Sequence, residues 1–235
     1  MSKAAEIDKQ QNDIRIVEII GPAGAGKTSL YNKLGNHPDQ MLLSDFPDVR
    51  KITAAPFYIR YGLQLVPSIL RLSRSDSRQL TRRELAWLTI IKGWPFVLQR
   101  DLKLGPQRII LDQGPVYLLA EMREFGPDYL RTKKAEPLWQ EFYHRWAYTL
   151  DMIVWLDAED SHLVERIRGR KQDHAVKNES AEEAIKFLEL YRKLFDFTVS
   201  SLTEINPSIR VLKFDTSKLQ TQEIKDRLLS EMGCS

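Results

Sequence analysis

The hydrophobic pattern begins with Ile14 to Ile20, a run of β-branched and apolar residues closed by Gly21, which suits a central parallel strand buried on both faces. Beyond it, Leu30, Tyr31 and Leu34 recur at helical spacing between Lys27 and Leu34, and Gly35-Asn36 supplies a stop. Short apolar runs return at Met41 to Leu43, Arg108 to Leu111, Met152 to Leu156 and Arg210 to Phe214. Each ends in or near an acid: Asp45, Asp112, Asp157 and Asp215. Helical stretches separate them, so β and α alternate and predict a parallel sheet covered on both faces. Ligands of such sheets bind beyond the carboxyl ends of the strands, the edge on which these acids fall.

Residues 48–104 form a long insertion between the second and third strands, in which Pro56, Pro67 and Pro95 read as breaks between helices. Trp87, Leu88, Ile91, Trp94 and Phe96 read as packing of this helical layer. Such an insertion is a natural region for holding a second substrate.

Composition bounds the picture. A chain of 235 residues, 43% hydrophobic and 29% charged, suits one soluble α/β domain over 1–235, with 1–13 as a polar, flexible lead-in. The net charge of +3 is too small for a dedicated nucleic-acid binder and argues against nucleic acid as a partner. Arg71, Arg74, Arg78, Arg82 and Arg83 are interleaved with Ser and Asp and read as a solvated helical face. The single Cys234 forms no internal disulfide, in keeping with a reducing compartment. The longest apolar stretch, Leu85 to Leu102, is cut by Lys92, Gly93, Pro95, Arg100 and Asp101, so no membrane span is expected, and the cytoplasm is the expected location.

The chemistry is carried first by Gly21-Pro22-Ala23-Gly24-Ala25-Gly26-Lys27-Thr28, followed by Ser29 and set between an apolar strand and a helix. Its glycines let the backbone curl so that successive N–H groups face phosphate oxygens, and the helix N-terminus adds a favourable dipole. Lys27 is expected to bridge the β- and γ-phosphates of ATP, and Thr28 to place its hydroxyl on Mg2+. Asp112, ending a buried strand, is expected to help hold that ion, although an aspartate there could also cap the helix near Pro115. Asp45 is the candidate base for an attacking hydroxyl, with Asp48 as a competitor. Arg166 and Arg170, four apart in Arg166-Ile167-Arg168-Gly169-Arg170, are expected to share a helix face and reach the phosphates.

Together the phosphate loop, Asp112 and the arginine segment resemble the P-loop kinases that include thymidylate kinases and deoxynucleoside kinases, over Ile14 to about Leu229. The resemblance implies a three-layer fold with a five-stranded parallel sheet ordered 2-3-1-4-5, and an arginine-bearing lid at 166–180. It implies that Val211 to Ser217, with Asp215, forms the strand and loop beside the adenine base. Asp45-Phe46-Pro47 matches the family's acid-and-proline motif with one residue inserted. Gln113 stands where those kinases commonly place an arginine, which leaves open a neutral acceptor such as a nucleoside, sugar or polyol.

The expected function is thus an ATP- and Mg2+-dependent kinase of a small molecule, a nucleoside or nucleotide first. A nucleotide-dependent regulatory ATPase and a nucleic-acid-end kinase are the competing classes, and association as a homodimer stays open.

Overall fold

A computed structural model describes residues 14–35, 41–44, 47, 54–73, 78–105, 108–171 and 173–234. The lead-in 1–13, Arg74, and the candidate bases Asp45 and Asp48 lie outside them. The chain runs β1 (Ile16–Ile20), α1 (Lys27–Gly35), β2 (Met41–Ser44), α2 (Ala55–Leu72), α3 (Arg82–Leu104), β3 (Arg108–Asp112) and α4 (Pro115–Phe125). It continues through α5 (Glu136–Ala147), β4 (Met152–Asp157), α6 (Asp160–Arg168), α7 (Ala181–Ile205), β5 (Arg210–Asp215) and α8 (Thr221–Glu231).

The five strands pair in parallel in the order β2-β3-β1-β4-β5, the predicted order. Strand alternation divides the core into two layers. Ile16 and Ile20 of β1, Ile109 and Leu111 of β3, and Ile153 and Trp155 of β4 face a layer built on α2 to α5 and the second half of α7. Val17, Ile19, Ile110, Met152, Val154 and Leu156 face α1, α6 and α8. A strand buried on both sides needs apolar residues at every position, and β1 meets that demand except at the buried Glu18.

The insertion differs from its expected shape. Pro56 lies in the first turn of α2, where its missing N–H costs nothing, but Pro67 and Pro95 sit inside continuous helices. Packing overrides the local preference: Leu65 and Leu72 flank Pro67, and Leu88, Ile91, Trp94 and Leu98 surround Pro95, all fully or nearly buried. The break comes after Leu72 instead, and α3 restarts at the Thr81–Glu84 capping box. There the Glu84 N–H donates to the Thr81 hydroxyl (3.2 Å) and the Thr81 N–H to the Glu84 carboxylate (2.7 Å).

The packing role of the aromatic residues holds for Trp94 but not for Phe96. Trp94 is buried edge-on to Trp146, whose indole N–H donates to the Ile91 carbonyl (2.8 Å). Phe96 is 45% exposed and lies between the Tyr61 ring and the Arg145 guanidinium. Two arginines of the basic run are engaged locally. Arg78 pairs with Glu84 (2.6 Å) and Arg83 lies over the Trp87 ring (4.3 Å). The Arg78 hydrogen bond is the main reason the Glu84 carboxyl titrates low, at about 2.

Among the described residues no helix is long and apolar enough to cross a membrane. On its outward face α2 exposes Ile59, Leu63, Val66 and Leu70.

Replacing Thr81 by Ala removes one half of the capping box. It is expected to cost about 1 kcal/mol and to lower Tm by about 2–4 °C for a domain of this size. Thermal unfolding followed by circular dichroism measures this, and an unchanged Tm would show that the box contributes nothing.

Candidate active site

The phosphate loop exists because β1 ends against the neighbouring strand at a contact only glycine tolerates. Gly21 has φ 145°, and a Cβ there would lie 2.0 Å from the Leu156 carbonyl oxygen. Gly26 has free space around it but φ 88°, so its need is conformational. The loop closes through Ala25 N–H donating to Pro22 O (3.3 Å) and enters α1 at Lys27.

Lys27 is half-buried at the start of α1, and its ammonium donates to Gly21 O (2.7 Å) and Pro22 O (3.0 Å). Burial disfavours its charge and lowers its pKa to about 8; nearby Asp112 works against that shift and Arg170 adds to it. Thr28 Oγ1 donates to Asp112 Oδ2 (3.1 Å), joining the loop to the end of β3. Asp112 does not cap α4. That task falls to Glu18, whose two carboxylate oxygens each accept from Val116 N–H at 3.0 Å, one of them also from Tyr117 N–H at 3.5 Å. Burial raises the Glu18 pKa to about 8, against the pull of these amides.

The arginine segment departs from its expected geometry. Helix α6 stops at Arg168 and Gly169 forms its cap, so Arg170 lies beyond the helix and shares no face with Arg166. Arg166 is already engaged, donating to Thr216 Oγ1 (2.9 Å), Thr216 O (2.8 Å) and Gly24 O (3.4 Å). Arg170 is exposed on the cavity wall.

Two cavities meet at the loop. The larger, about 800 Å³, lies between Gly24, Ala25, Gly26 and Ser29 on one side and Thr216 to Thr221 on the other, with Arg166 and Arg170 at its rim. The smaller, about 130 Å³, is bounded by Gly21, Pro22, Ala23 and Lys27 of the loop, Gln113 and Tyr117, His174, and Phe187 and Tyr191 of α7. Arg170 lines both. Around the small cavity Tyr191 donates to the buried Glu121 carboxylate and stacks on Tyr117 (6.5 Å, 11°). Burial, with Glu121 alongside, pushes both phenols well above their usual range. His174 is held below its ordinary pKa, by burial first and then by Arg170 and Lys27.

Of the described strand-end acids, Asp112 alone accepts from the loop hydroxyl of Thr28. Asp157 is paired with Arg192 (2.8 and 3.0 Å), which also grips Asp160. Asp215 does not line the large cavity: its carboxylate accepts from the Ser217 N–H (2.9 Å) and hydroxyl and pairs with Lys218 (2.9 Å). The Ser217 hydrogen bond chiefly, then Lys218, holds its pKa at about 2. Asp215 thereby shapes the turn that presents Thr216, Ser217 and Lys218 to the cavity. Glu18, Glu121, Tyr117 and Tyr191 carry no motif of their own in the sequence, although a glutamate inside an apolar strand run is a signal for the first.

No protein-family model matches the sequence, and no curated protein matches it. Among solved structures the chain is similar to the thymidylate kinase of Candida albicans, whose structure is described as revealing the origin of broad substrate specificity and a novel structural element. That likeness has 16% identity and a TM-score of 0.53 over 93% of this chain and 91% of that one. It is also similar to the deoxyadenosine kinase of M. mycoides with bound dATP, at 13% identity and a TM-score of 0.50 over 92% of this chain and 98% of that one. The chain therefore shares the three-layer α/β P-loop fold of these two proteins.

The lowered Lys27 pKa carries a sign. Above about pH 8 the free protein holds Lys27 largely neutral, and a bound polyphosphate favours the ammonium, so binding must take up a proton there and not at pH 6.5. Calorimetric titration with a nucleoside triphosphate at pH 9, in buffers of different ionisation enthalpy, is expected to show uptake of about one proton. Equal proton counts at pH 6.5 and 9 would contradict this.

Proposed function

We propose that the chain is an ATP- and Mg2+-dependent kinase that transfers the γ-phosphoryl group to a nucleoside or nucleotide. The observation that carries this reading is the pair of cavities on either side of the phosphate loop, with Arg170 on both walls. A two-substrate site needs that arrangement, because the reacting groups must be held in line at one point.

In the donor half, the 800 Å³ cavity takes the nucleoside part of ATP between Arg166 and the Thr216–Lys218 turn. Backbone N–H groups of the loop and of the first turn of α1 face the phosphates, and Lys27 exchanges its two loop carbonyls for phosphoryl oxygens. Arg166 acts by holding Thr216 to Gly24, which fixes the width of the cavity, while Arg170 reaches over the phosphates. Thr28 and Asp112 are hard oxygen donors 3.1 Å apart, which fits Mg2+, the remaining ligands coming from phosphate and water. When bound, that ion neutralises charge on the phosphoryl oxygens.

In the acceptor half, the small cavity beside Lys27 takes the attacking hydroxyl, with Tyr117, Phe187 and Tyr191 offering ring faces to a base. The neutral Gln113 amide favours an uncharged hydroxyl over a phosphate, and so a nucleoside ahead of a nucleotide. Asp45 is assigned as the base because it directly follows Ser44, which pairs with Leu111 one residue before Asp112.

Incubation with γ-labelled ATP and Mg2+ against nucleosides, nucleoside monophosphates and sugars tests the reading. Label is expected on nucleosides, and Lys27→Ala should cut transfer by at least about 100-fold with Tm unchanged. Label on sugars alone would replace the acceptor class. Slow hydrolysis that no metabolite accelerates would point to a regulatory ATPase.

A further inference from the structure

The buried carboxylate of Glu18 has no place in the chemistry just described, yet it sits three residues before the phosphate loop in the central strand. In β1 it pairs with Leu111, and the next residue, Ile19, pairs with Asp112. Its side chain projects toward the first turn of α4. A helix start leaves its first N–H groups without partners inside the helix. In α4, Pro115 has no N–H, and Gly114 at the N-cap has no side chain to accept one. Leu118 N–H is served by Gly114 O (3.2 Å), which leaves Val116 and Tyr117, the two amides that Glu18 accepts.

The surrounding backbone is built to this contact. A Cβ on Gly114 would lie 2.9 Å from Glu18 Cδ, so position 114 must stay bare for the carboxylate to seat. Between this glycine and Asp112 the chain passes through Gln113 at φ 58°, a left-handed conformation unusual for a side-chain-bearing residue. The end of β3 and the start of α4 are thus one strained turn, held from below by Glu18. A buried ionisable group is weak ground for stability, since an apolar residue of similar volume commonly packs as well.

We infer that Glu18 is a positioning residue whose carboxylate clamps the first turn of α4 to the phosphate-loop strand, and thereby sets Asp112 toward Thr28 and Gln113 toward the acceptor cavity. The link to metal binding rests on the kinase reading above; the clamp itself does not.

Two variants test it. Glu18→Gln keeps the shape but puts an amide donor in place of one oxygen, and Gly114→Ala leaves the carboxyl group intact and displaces it. Amide hydrogen exchange at Val116 and Tyr117 is expected to quicken by about tenfold in each. The affinity for AMP-PNP is measured with Mg2+ and in EDTA: the gain due to Mg2+ should fall about tenfold, while the EDTA value stays within about twofold of the parent. Unchanged exchange in the folded variants overturns the clamp, and equal losses with and without Mg2+ overturn its role in placing Asp112. A parent protein whose AMP-PNP affinity ignores Mg2+ overturns the metal reading, and exchange then decides the clamp alone. Should Glu18→Gln fail to fold, Gly114→Ala carries both measurements.

Discussion

Everything at this site follows from where β1 ends. Five consecutive buried residues bring the chain to the carboxyl edge of the sheet, and at Gly21 the backbone passes so near the Leu156 carbonyl that no side chain fits. From that contact the chain can only curl back over the strand ends and start a helix. The curl turns amides inward, the helix start adds its dipole, and Lys27 emerges on the wall of the smaller cavity. Because β1 lies between β3 and β4, the loop meets Asp112 of β3 on one side and the Leu156 carbonyl of β4 on the other.

Electrostatics sharpen this arrangement. Burial, with Arg170 pushing in the same direction and Asp112 opposing, lowers the Lys27 pKa to about 8, so its ammonium is held less firmly than that of an exposed lysine. Arg166 is spent on the backbone and serves geometry, whereas Arg170 stands exposed where both cavities can use it. Around the smaller cavity, Glu121, Tyr117 and Tyr191 form a mostly buried polar network whose phenols are firmly protonated donors.

Much of this was legible in the sequence because local signals and global fold agree there. The glycine spacing, the apolar strand runs and the strand-end acids gave the sheet and the loop together, and the sheet order followed from the family resemblance. The misreadings occur where tertiary contacts outvote local preference. Pro67 and Pro95 read as breaks, but a buried face on each helix carries the chain through them. Arg166 and Arg170 read as one helix face, but Gly169 ends the helix between them. Glu18 stands out as an acid in an apolar run, but its partners, Val116 and Tyr117, are about 100 positions away, and no periodicity reports such a contact. Asp215 was recognisable as a strand-end acid, yet whether it faces the cavity or its own turn depends on Ser217 and Lys218 in three dimensions.

The central claim is that one phosphate loop divides a donor cavity from an acceptor cavity. A crystal structure with AMP-PNP and Mg2+ tests it directly. The adenine is expected between Arg166 and the Thr216–Lys218 turn, with the terminal phosphate beside Lys27 and facing Gln113 and Tyr117. Adenine seated instead among Tyr117, Phe187 and Tyr191, or a terminal phosphate turned away from Gln113, would contradict the account.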